Sequence, residues 1–161
     1  MFKNFSQQNY KKMAYLHLIA IFFVVVDRLL KTWAQITKPI SDNIFGLNYS
    51  FNANLAFSLP LKQILILSSS GLIIVCLWLY YFKLIKQGKL TAGYLSILIL
   101  GALSNYFDRL AYGGVLDYFN FAYLFIFNLA DVAILLGLGG WFFVEIIHLN
   151  NSTTSSGQDK L

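Results

Sequence analysis

Long apolar runs alternate with short polar segments along this chain. The apolar runs cover, approximately, residues 13–34, 63–82, 91–107 and 128–147. A helix needs roughly 20 apolar residues to cross the hydrocarbon core of a bilayer, and each run is close to that length. The pattern therefore predicts four membrane-spanning helices in one domain, residues 1–148. The polar tail, residues 149–161, is rich in Ser, Thr, Asn and Gly and is expected to be disordered.

The segment between the first two runs, residues 35–62, has a different pattern. From Ile44 to Ser58 apolar and polar residues alternate roughly, and several of the apolar ones are aromatic. A period of two is typical of short strands or of an extended segment. The predicted fold class is therefore an all-α integral membrane protein, with four transmembrane helices and a small extracytoplasmic β-like loop region.

Clustered lysines predict the orientation of these helices. They precede the first run at Lys3, Lys11 and Lys12 and follow the second at Lys83, Lys86 and Lys89. Cytoplasmic segments carry an excess of Lys and Arg, so we expect both termini to be cytoplasmic. The first run resembles a signal peptide, but Asp27, Arg28 and Lys31 interrupt a region that should stay neutral. We therefore interpret it as a retained span.

Composition narrows the possible functions. The chain has 161 residues, 58% of them hydrophobic and 12% charged, whereas soluble domains carry roughly 25% charged residues. The net charge is +5, but no basic patch with interleaved aromatic residues predicts a nucleic-acid partner. One cysteine, Cys76, and two histidines provide neither an intramolecular disulfide nor a metal-ligand cluster, so we predict no metal and no cofactor.

Two groups of charged residues lie within or beside the apolar runs. Asp27 and Lys31 are spaced i, i+4 and can pair, either as an interfacial ion pair that ends the helix or as a polar lining near a site. Asn105, Asp108 and Arg109 share one helix face. Asp108 and Arg109 are predicted to pair with each other. The group is expected to be mostly structural, and its donors and acceptors could also orient a neighbouring carboxylate.

Asp117 and Asp131 have no basic neighbour in the sequence. A lone carboxylate near a membrane boundary costs several kcal/mol or changes its pKa, and two brought together would share a proton. Aspartic proteases use that arrangement: one carboxylate takes a proton from water and the other donates to the scissile carbonyl. Alternatively, Asp131 interacts with a helix dipole and Asp117 caps a loop. A non-catalytic carrier or assembly factor could also use both for protons or packing.

Four segments of the chain match a known family. They are Asp27 with Lys31, NANLAFS at 52–58, GALSNYFDRLAYGGVLDYFNF at 101–121 and FNLADVAI at 127–134. In this order they resemble bacterial lipoprotein signal peptidase (signal peptidase II), a four-span aspartic protease of the cytoplasmic membrane. The chain departs from the family at Asn54, where glycine is usual, and at Tyr118, where phenylalanine is commoner.

The resemblance implies that Asp117 and Asp131 are the catalytic pair. The residues that it places in supporting or substrate-binding positions are Asp27, Lys31, Asn52, Asn105, Asp108, Arg109, Asn128 and Ala130. It implies cleavage of a diacylglyceryl-modified prolipoprotein just before the lipidated cysteine, in contact with membrane lipid. It also implies a site near the outer face of the bacterial cytoplasmic membrane. Nothing in the sequence demands an oligomer, so we expect a monomer.

Overall fold

The computed structural model describes residues 2–40, 45–53, 63–122 and 124–158, and the side chains of those between 7 and 147. Asn54 and the remainder of the 52–58 segment from 54 onward lie outside the described residues. The elements in chain order are α1 (Phe2–Thr37), β1 (Phe45–Asn52), α2 (Gln63–Lys86), α3 (Thr91–Tyr112), β2 (Val115–Phe121), β3 (Phe125–Phe127) and α4 (Leu129–Gln158).

Within the described part of the chain, three helical segments are long and apolar enough to cross a membrane: Gln7–Thr37, Gln63–Lys86 and Leu129–Ile147. Their outer faces expose large hydrophobic side chains, such as Phe22 and Leu72, which suit a lipid environment. The protein is a mostly helical integral membrane protein. The predicted fourth span, α3, does not meet the same criterion, because the C-terminal half of this helix carries polar residues that face the protein interior.

Helix α3 lies at the centre of the bundle and packs against α1, α2 and α4. Its contacts with α4 are close because small residues face each other. A Cβ at Gly101 would lie 2.7 Å from the carbonyl oxygen of Ala130, and one at Gly137 would lie 2.5 Å from the backbone nitrogen of Leu98. This packing brings the C-terminal half of α3 beside the first turn of α4.

The three strands form one antiparallel sheet in the order β1-β2-β3. Gly113 ends α3 with a left-handed φ of 79°, a conformation that glycine adopts without strain, and the chain then enters β2. Leu47 pairs with Phe119 and Ser50 pairs with Asp117, so two residues of β1 lie opposite Tyr118 in a β-bulge. The β-like loop region predicted near residues 44–58 is therefore found at β1, whereas β2 and β3 were not predicted.

The helices extend beyond the predicted spans. α1 begins at Phe2 and α4 continues to Gln158, so the backbone is helical where the sequence predicts a disordered tail. Extending an existing helix fixes one residue for each new hydrogen bond, which avoids the cost of nucleation. Polar residues that would not form a helix alone can therefore continue one.

Candidate active site

Strand β2 places successive side chains on opposite faces of the sheet. Asp117 and Val115 line a cavity, whereas Leu116 and Tyr118 pack against Ala34 of α1. This alternation is a property of any strand. It points the Asp117 carboxylate, which is only 5% exposed, away from α1 and into the cavity, which α3 and α4 also line.

Asp131 occupies the first turn of α4 and takes part in a reciprocal cap. The Asn128 Oδ1 accepts the backbone N–H of Asp131 at 3.0 Å, and the Asp131 Oδ2 accepts the backbone N–H of Asn128 at 3.2 Å. Such a capping box satisfies two amides that a helix start leaves unpaired. Asp131 therefore does interact with a helix N-terminus, as the alternative interpretation predicts. The cap uses only its Oδ2.

Asn128 also joins the two carboxylates. Its Nδ2 donates to the Asp117 Oδ1 at 2.6 Å, while its Oδ1 holds the Asp131 amide. The Asn105 Nδ2 donates to the Asp131 Oδ1 at 2.7 Å, and the Asn52 side chain hydrogen-bonds to Asp117. Asp117 and Asp131, which the sequence analysis singled out, are thus brought to one cavity, each with amide partners.

The shared cavity has a volume of about 550 Å³. Its polar lining is Asn52, Asn105, Arg109, Asp117 and Asp131, and its apolar lining is Val115, Leu124 to Phe127, Ile134 and Leu135. Leu124 and Phe125 are themselves exposed. The cavity therefore combines a charged floor with an apolar wall supplied by β3 and α4.

A buried charge network lies behind the cavity. The Lys31 Nζ is 2.9 Å from the Asp27 Oδ2 and 2.7 Å from the Asp108 Oδ2, and it donates to the Asn105 Oδ1 at 2.9 Å. The Arg28 guanidinium bridges the same two carboxylates, at 2.6 Å to Asp108 and 3.2 Å to Asp27. The Asp27–Lys31 ion pair does not end α1, which continues past it.

The predicted pairing of Asp108 with Arg109 is wrong. Asp108 pairs instead with Arg28 and Lys31 of the neighbouring helix α1. Consecutive residues on a helix point about 100° apart, so Asp108 faces α1 while Arg109 faces the cavity. Arg109 donates to the Asn105 backbone carbonyl at 3.4 Å, and its Nε is buried without a hydrogen-bond partner among the described residues.

Asp27 connects this network to the start of α4. Its Oδ1 accepts the Ala130 backbone N–H at 3.2 Å and the Tyr118 hydroxyl at 3.0 Å, and its Oδ2 accepts the Ser104 hydroxyl at 2.6 Å. Sequence reasoning missed Tyr118, Ser104 and the bridging role of Arg28. A tyrosine inside the apolar run VLDYFNF was the available signal, because a buried hydroxyl requires a partner.

Burial and neighbouring charges raise the pKa values of Asp117 and Tyr118 on β2. Burial raises the pKa of Asp117 to about 7, and repulsion from Asp131 adds to the increase, while hydrogen bonds from Asn128 and Asn52 oppose it. Burial and the nearby negative charge of Asp27 raise the pKa of Tyr118, so its hydroxyl keeps its proton and remains a donor. Asp117 can therefore hold or release a proton near neutral pH.

No group of three or more His, Cys, Asp or Glu side chains that could hold a metal ion occurs among the residues that the structure describes. The groups available for chemistry in the cavity are two carboxylates, a guanidinium and amide side chains. Such a set suits proton transfer to and from a polar substrate.

Two carboxylates on one cavity, in a mostly helical protein with membrane-spanning helices, define a candidate membrane-embedded enzyme. The family model of signal peptidase (SPase) II matches residues 19–147, which is most of the chain and contains both carboxylates. The chain belongs to the signal peptidase II family, a family of peptidases.

Individual relatives agree with this assignment. The chain is 32% identical over 153 residues to the lipoprotein signal peptidase of Pelotomaculum thermopropionicum, covering 91% of this chain and 99% of that one. It is 34% identical over 132 residues to that of Clostridium acetobutylicum, covering 74% and 86%. A solved structure described as a bacterial membrane enzyme superposes with a TM-score of 0.68 at 26% identity, covering 88% of this chain and 91% of the other.

Proposed function

We propose that this chain is an aspartic endopeptidase that removes the signal peptide from diacylglyceryl-modified prolipoproteins, cutting just upstream of the lipidated cysteine. Membership of the signal peptidase II family and the lipoprotein signal peptidases among its relatives support the substrate class. The observation that carries the mechanism is that Asp117 and Asp131 line one cavity and are joined through Asn128.

The apolar wall of the cavity suits a lipid-modified substrate. Leu124, Phe125 and Ile126 are exposed on β3 and the turn before it, and Ile134 and Leu135 belong to a membrane-spanning segment of α4. A diacylglyceryl group gains free energy by staying in hydrocarbon. We therefore place the acyl chains in the bilayer against this wall, while the peptide enters the cavity from the side.

The reaction uses the two carboxylates in complementary states. Asp117, with a pKa of about 7, holds the shared proton, and Asp131 is ionised. The Asp131 carboxylate takes a proton from water as the water oxygen bonds to the scissile carbonyl carbon, and Asp117 donates its proton to the carbonyl oxygen. The products of this step are a neutral gem-diol, a protonated Asp131 and an ionised Asp117.

The second step returns both residues to their starting states. Asp131 donates its proton to the amide nitrogen of the lipidated cysteine as the C–N bond breaks, and Asp117 accepts a proton from the gem-diol. The products are the free carboxyl end of the signal peptide and the free amine of the cysteine. Since each carboxylate is held by amide donors, little reorganisation is needed during either step.

Arg109 is suited to binding the substrate backbone. Its guanidinium lines the cavity and makes no ion pair with a described carboxylate. A guanidinium presents several fixed donors, and a peptide carbonyl is a matching acceptor. We assign it to orienting the peptide segment that lies across Asp117 and Asp131.

We further propose that α3 is the fourth span and that both termini are cytoplasmic, in the bacterial cytoplasmic membrane. The 22 residues of α3 extend about 33 Å at 1.5 Å per residue, which matches a hydrocarbon core of about 30 Å. The sheet and the cavity then lie near the outer face. The proposed enzyme acts as a monomer and without a cofactor.

Cleavage in cells tests the function. The chain is expressed with a diacylglyceryl-modified prolipoprotein, and loss of the signal peptide is followed as a mobility shift. Asp117→Asn and Asp131→Asn should each abolish the shift, whereas Glu145→Gln, which alters a carboxylate elsewhere on α4, should retain it. Full cleavage by both Asp variants would end the two-carboxylate mechanism, and no cleavage by the wild type would favour a non-catalytic membrane protein.

Reporter fusions test the topology separately. A periplasmic-only reporter such as alkaline phosphatase is fused after Gly88 and after Gly114, in the turns on either side of α3. Activity is expected only at Gly114. Equal activity at both positions would mean that α3 does not span the membrane.

A further inference from the structure

The side chain of Tyr118 is fully buried, yet its hydroxyl makes two hydrogen bonds. It donates to the Asp27 Oδ1 at 3.0 Å and accepts the backbone N–H of Leu129 at 3.0 Å. The direction of both bonds is set by the partners, because an amide N–H only donates and an ionised carboxylate only accepts. One hydroxyl thus connects α1, β2 and the first residue of α4.

These bonds lie one residue away from the proposed catalytic contacts. Tyr118 follows Asp117 in β2, and Leu129 follows Asn128 at the start of α4. On the cavity face of the strand, the Asn128 Nδ2 donates to the Asp117 Oδ1 at 2.6 Å. On the opposite face, the Tyr118 hydroxyl accepts the Leu129 amide. The strand and the helix start are therefore joined from both faces of the strand.

The β-ladder is irregular at the same place. Two residues of β1, Asn48 and Tyr49, lie opposite Tyr118, and a bulge disrupts the regular ladder there. Pairing with β1 alone therefore constrains this part of β2 less than a regular ladder would. The bonds of Tyr118 to α1 and α4 supply a constraint at the point where the ladder is interrupted.

We propose that Tyr118 is a positioning residue, whose hydroxyl sets the position of Asp117 relative to Asp131 by holding β2 against the first turn of α4. The proposal rests on the proposed function, since the spacing that it fixes is that of the two carboxylates. Without the hydroxyl, the side-chain hydrogen bonds of Asn128 to Leu116 and Asp117 are left to hold the strand to the first turn of α4. Asp117 then samples positions in which it cannot protonate the scissile carbonyl.

Tyr118→Phe tests this by removing one oxygen and keeping the ring. Tyr49→Phe is the matched control, because Tyr49 packs in the same apolar cluster as Tyr118 but takes no part in the bonds to Asp27 and Leu129.

Misplacement of a catalytic group by about 1 Å can cost 100-fold in rate. With purified protein and a lipidated peptide substrate, we expect Tyr118→Phe to lower kcat by about 10- to 100-fold and to leave KM nearly unchanged. The control should keep both. An unchanged kcat, or a loss confined to KM, overturns the proposal.

A second measurement does not depend on activity. Hydrogen exchange of the full-length protein, followed by mass spectrometry on a peptide covering residues 127–134, reports how firmly the start of α4 is held. Tyr118→Phe should exchange faster there than both the wild type and Tyr49→Phe, and equal exchange overturns the proposal. If wild type fails to cleave, the proposed function fails, and the exchange experiment still decides whether Tyr118 fixes this junction.

Discussion

The Asn128 side chain donates to the Asp117 carboxylate at 2.6 Å and, through its carbonyl oxygen, caps the helix that carries Asp131. One amide group thus performs two tasks: it stabilises the start of α4 and it fixes Asp117. Serine can perform the first task, because a hydroxyl oxygen also caps a helix, but its side chain is too short to reach Asp117 as the amide does.

Substitutions at Asn128 should separate these tasks. Asn128→Ala should lose both the cap, worth about 1 kcal/mol of unfolding free energy, and cleavage. Asn128→Ser should recover most of that stability without recovering cleavage. Thermal unfolding in detergent and cleavage of a lipidated peptide measure the two effects. Equal cleavage by Asn128→Ser and wild type would show that the bond to Asp117 is dispensable.

The pKa of Asp117, raised to about 7 by burial and by Asp131, predicts a pH-dependent rate. The proposed mechanism needs Asp117 protonated, so kcat/KM, which reports the groups of the free enzyme, should fall as pH rises through about 7. The Asn52 hydrogen bond favours the ionised form, so Asn52→Ala should move this decline to higher pH. The measurement is the pH dependence of kcat/KM for both proteins. A wild-type rate that stays constant to pH 9 would contradict the assignment of the proton to Asp117.

The same carboxyl group makes stability depend on pH. Its pKa is about 7 in the folded protein and about 3.9 in an unfolded chain, so the folded state binds the proton more tightly. The resulting stability is fully present below pH 4 and is lost as pH rises through 7. Asp117→Asn should therefore stabilise the protein relative to wild type more at pH 8 than at pH 5, as measured by thermal unfolding. A difference independent of pH would contradict the raised pKa.

The approximate positions of the helices can be predicted from the sequence, because a helix that crosses a bilayer needs an apolar run of matching length. The i, i+4 spacing likewise predicts the Asp27–Lys31 pair, since both residues lie on one helix. The partner of Asp108 was not predictable in this way. Arg28 is 80 residues away and meets Asp108 only because α1 and α3 pack together. Adjacency in the sequence favoured Arg109 as the partner of Asp108, although consecutive side chains on a helix point in different directions.

Strand β2 illustrates a second limit. Its seven residues, VLDYFNF, are nearly all apolar or aromatic, so they lack the polar–apolar alternation that marks a half-buried strand. Both faces of β2 are covered, by the cavity residues on one side and by α1 on the other. The tyrosine predicts a buried hydroxyl that needs a partner, but its partners on α1 and α4 are identified only once the fold is known.

A double-mutant cycle tests the corrected ion pair. Arg28→Met and Asp108→Asn should show a coupling of about 1 kcal/mol in unfolding free energy, as residues in contact do. Arg109→Met and Asp108→Asn should show less than about 0.5 kcal/mol. Arg109→Met should instead lower cleavage, because its guanidinium faces the cavity. A larger coupling of Asp108 with Arg109 than with Arg28 would show that Asp108 pairs with its sequence neighbour instead.

Glycines in α4 provide a test of its packing against α3. A Cβ at Gly137 would lie 2.5 Å from the backbone nitrogen of Leu98, whereas one at Gly139 would have no atom within 4 Å. Gly137→Ala should therefore destabilise the protein by about 1–3 kcal/mol. Gly139→Ala should be neutral or slightly stabilising, because alanine favours helix. Similar unfolding temperatures for the two variants would mean that α3 and α4 are not in such close contact.

The bond between the Asp27 carboxylate and the Ala130 amide joins residues 103 positions apart, on α1 and α4. A ribosome makes α4 after α1, α2 and α3, because synthesis runs from the N-terminus. The carboxylates at 117 and 131 therefore cannot take up their mutual position until synthesis has passed residue 131. On the proposed mechanism, the nascent chain is inert towards neighbouring peptides until α4 has been made and has packed against α1.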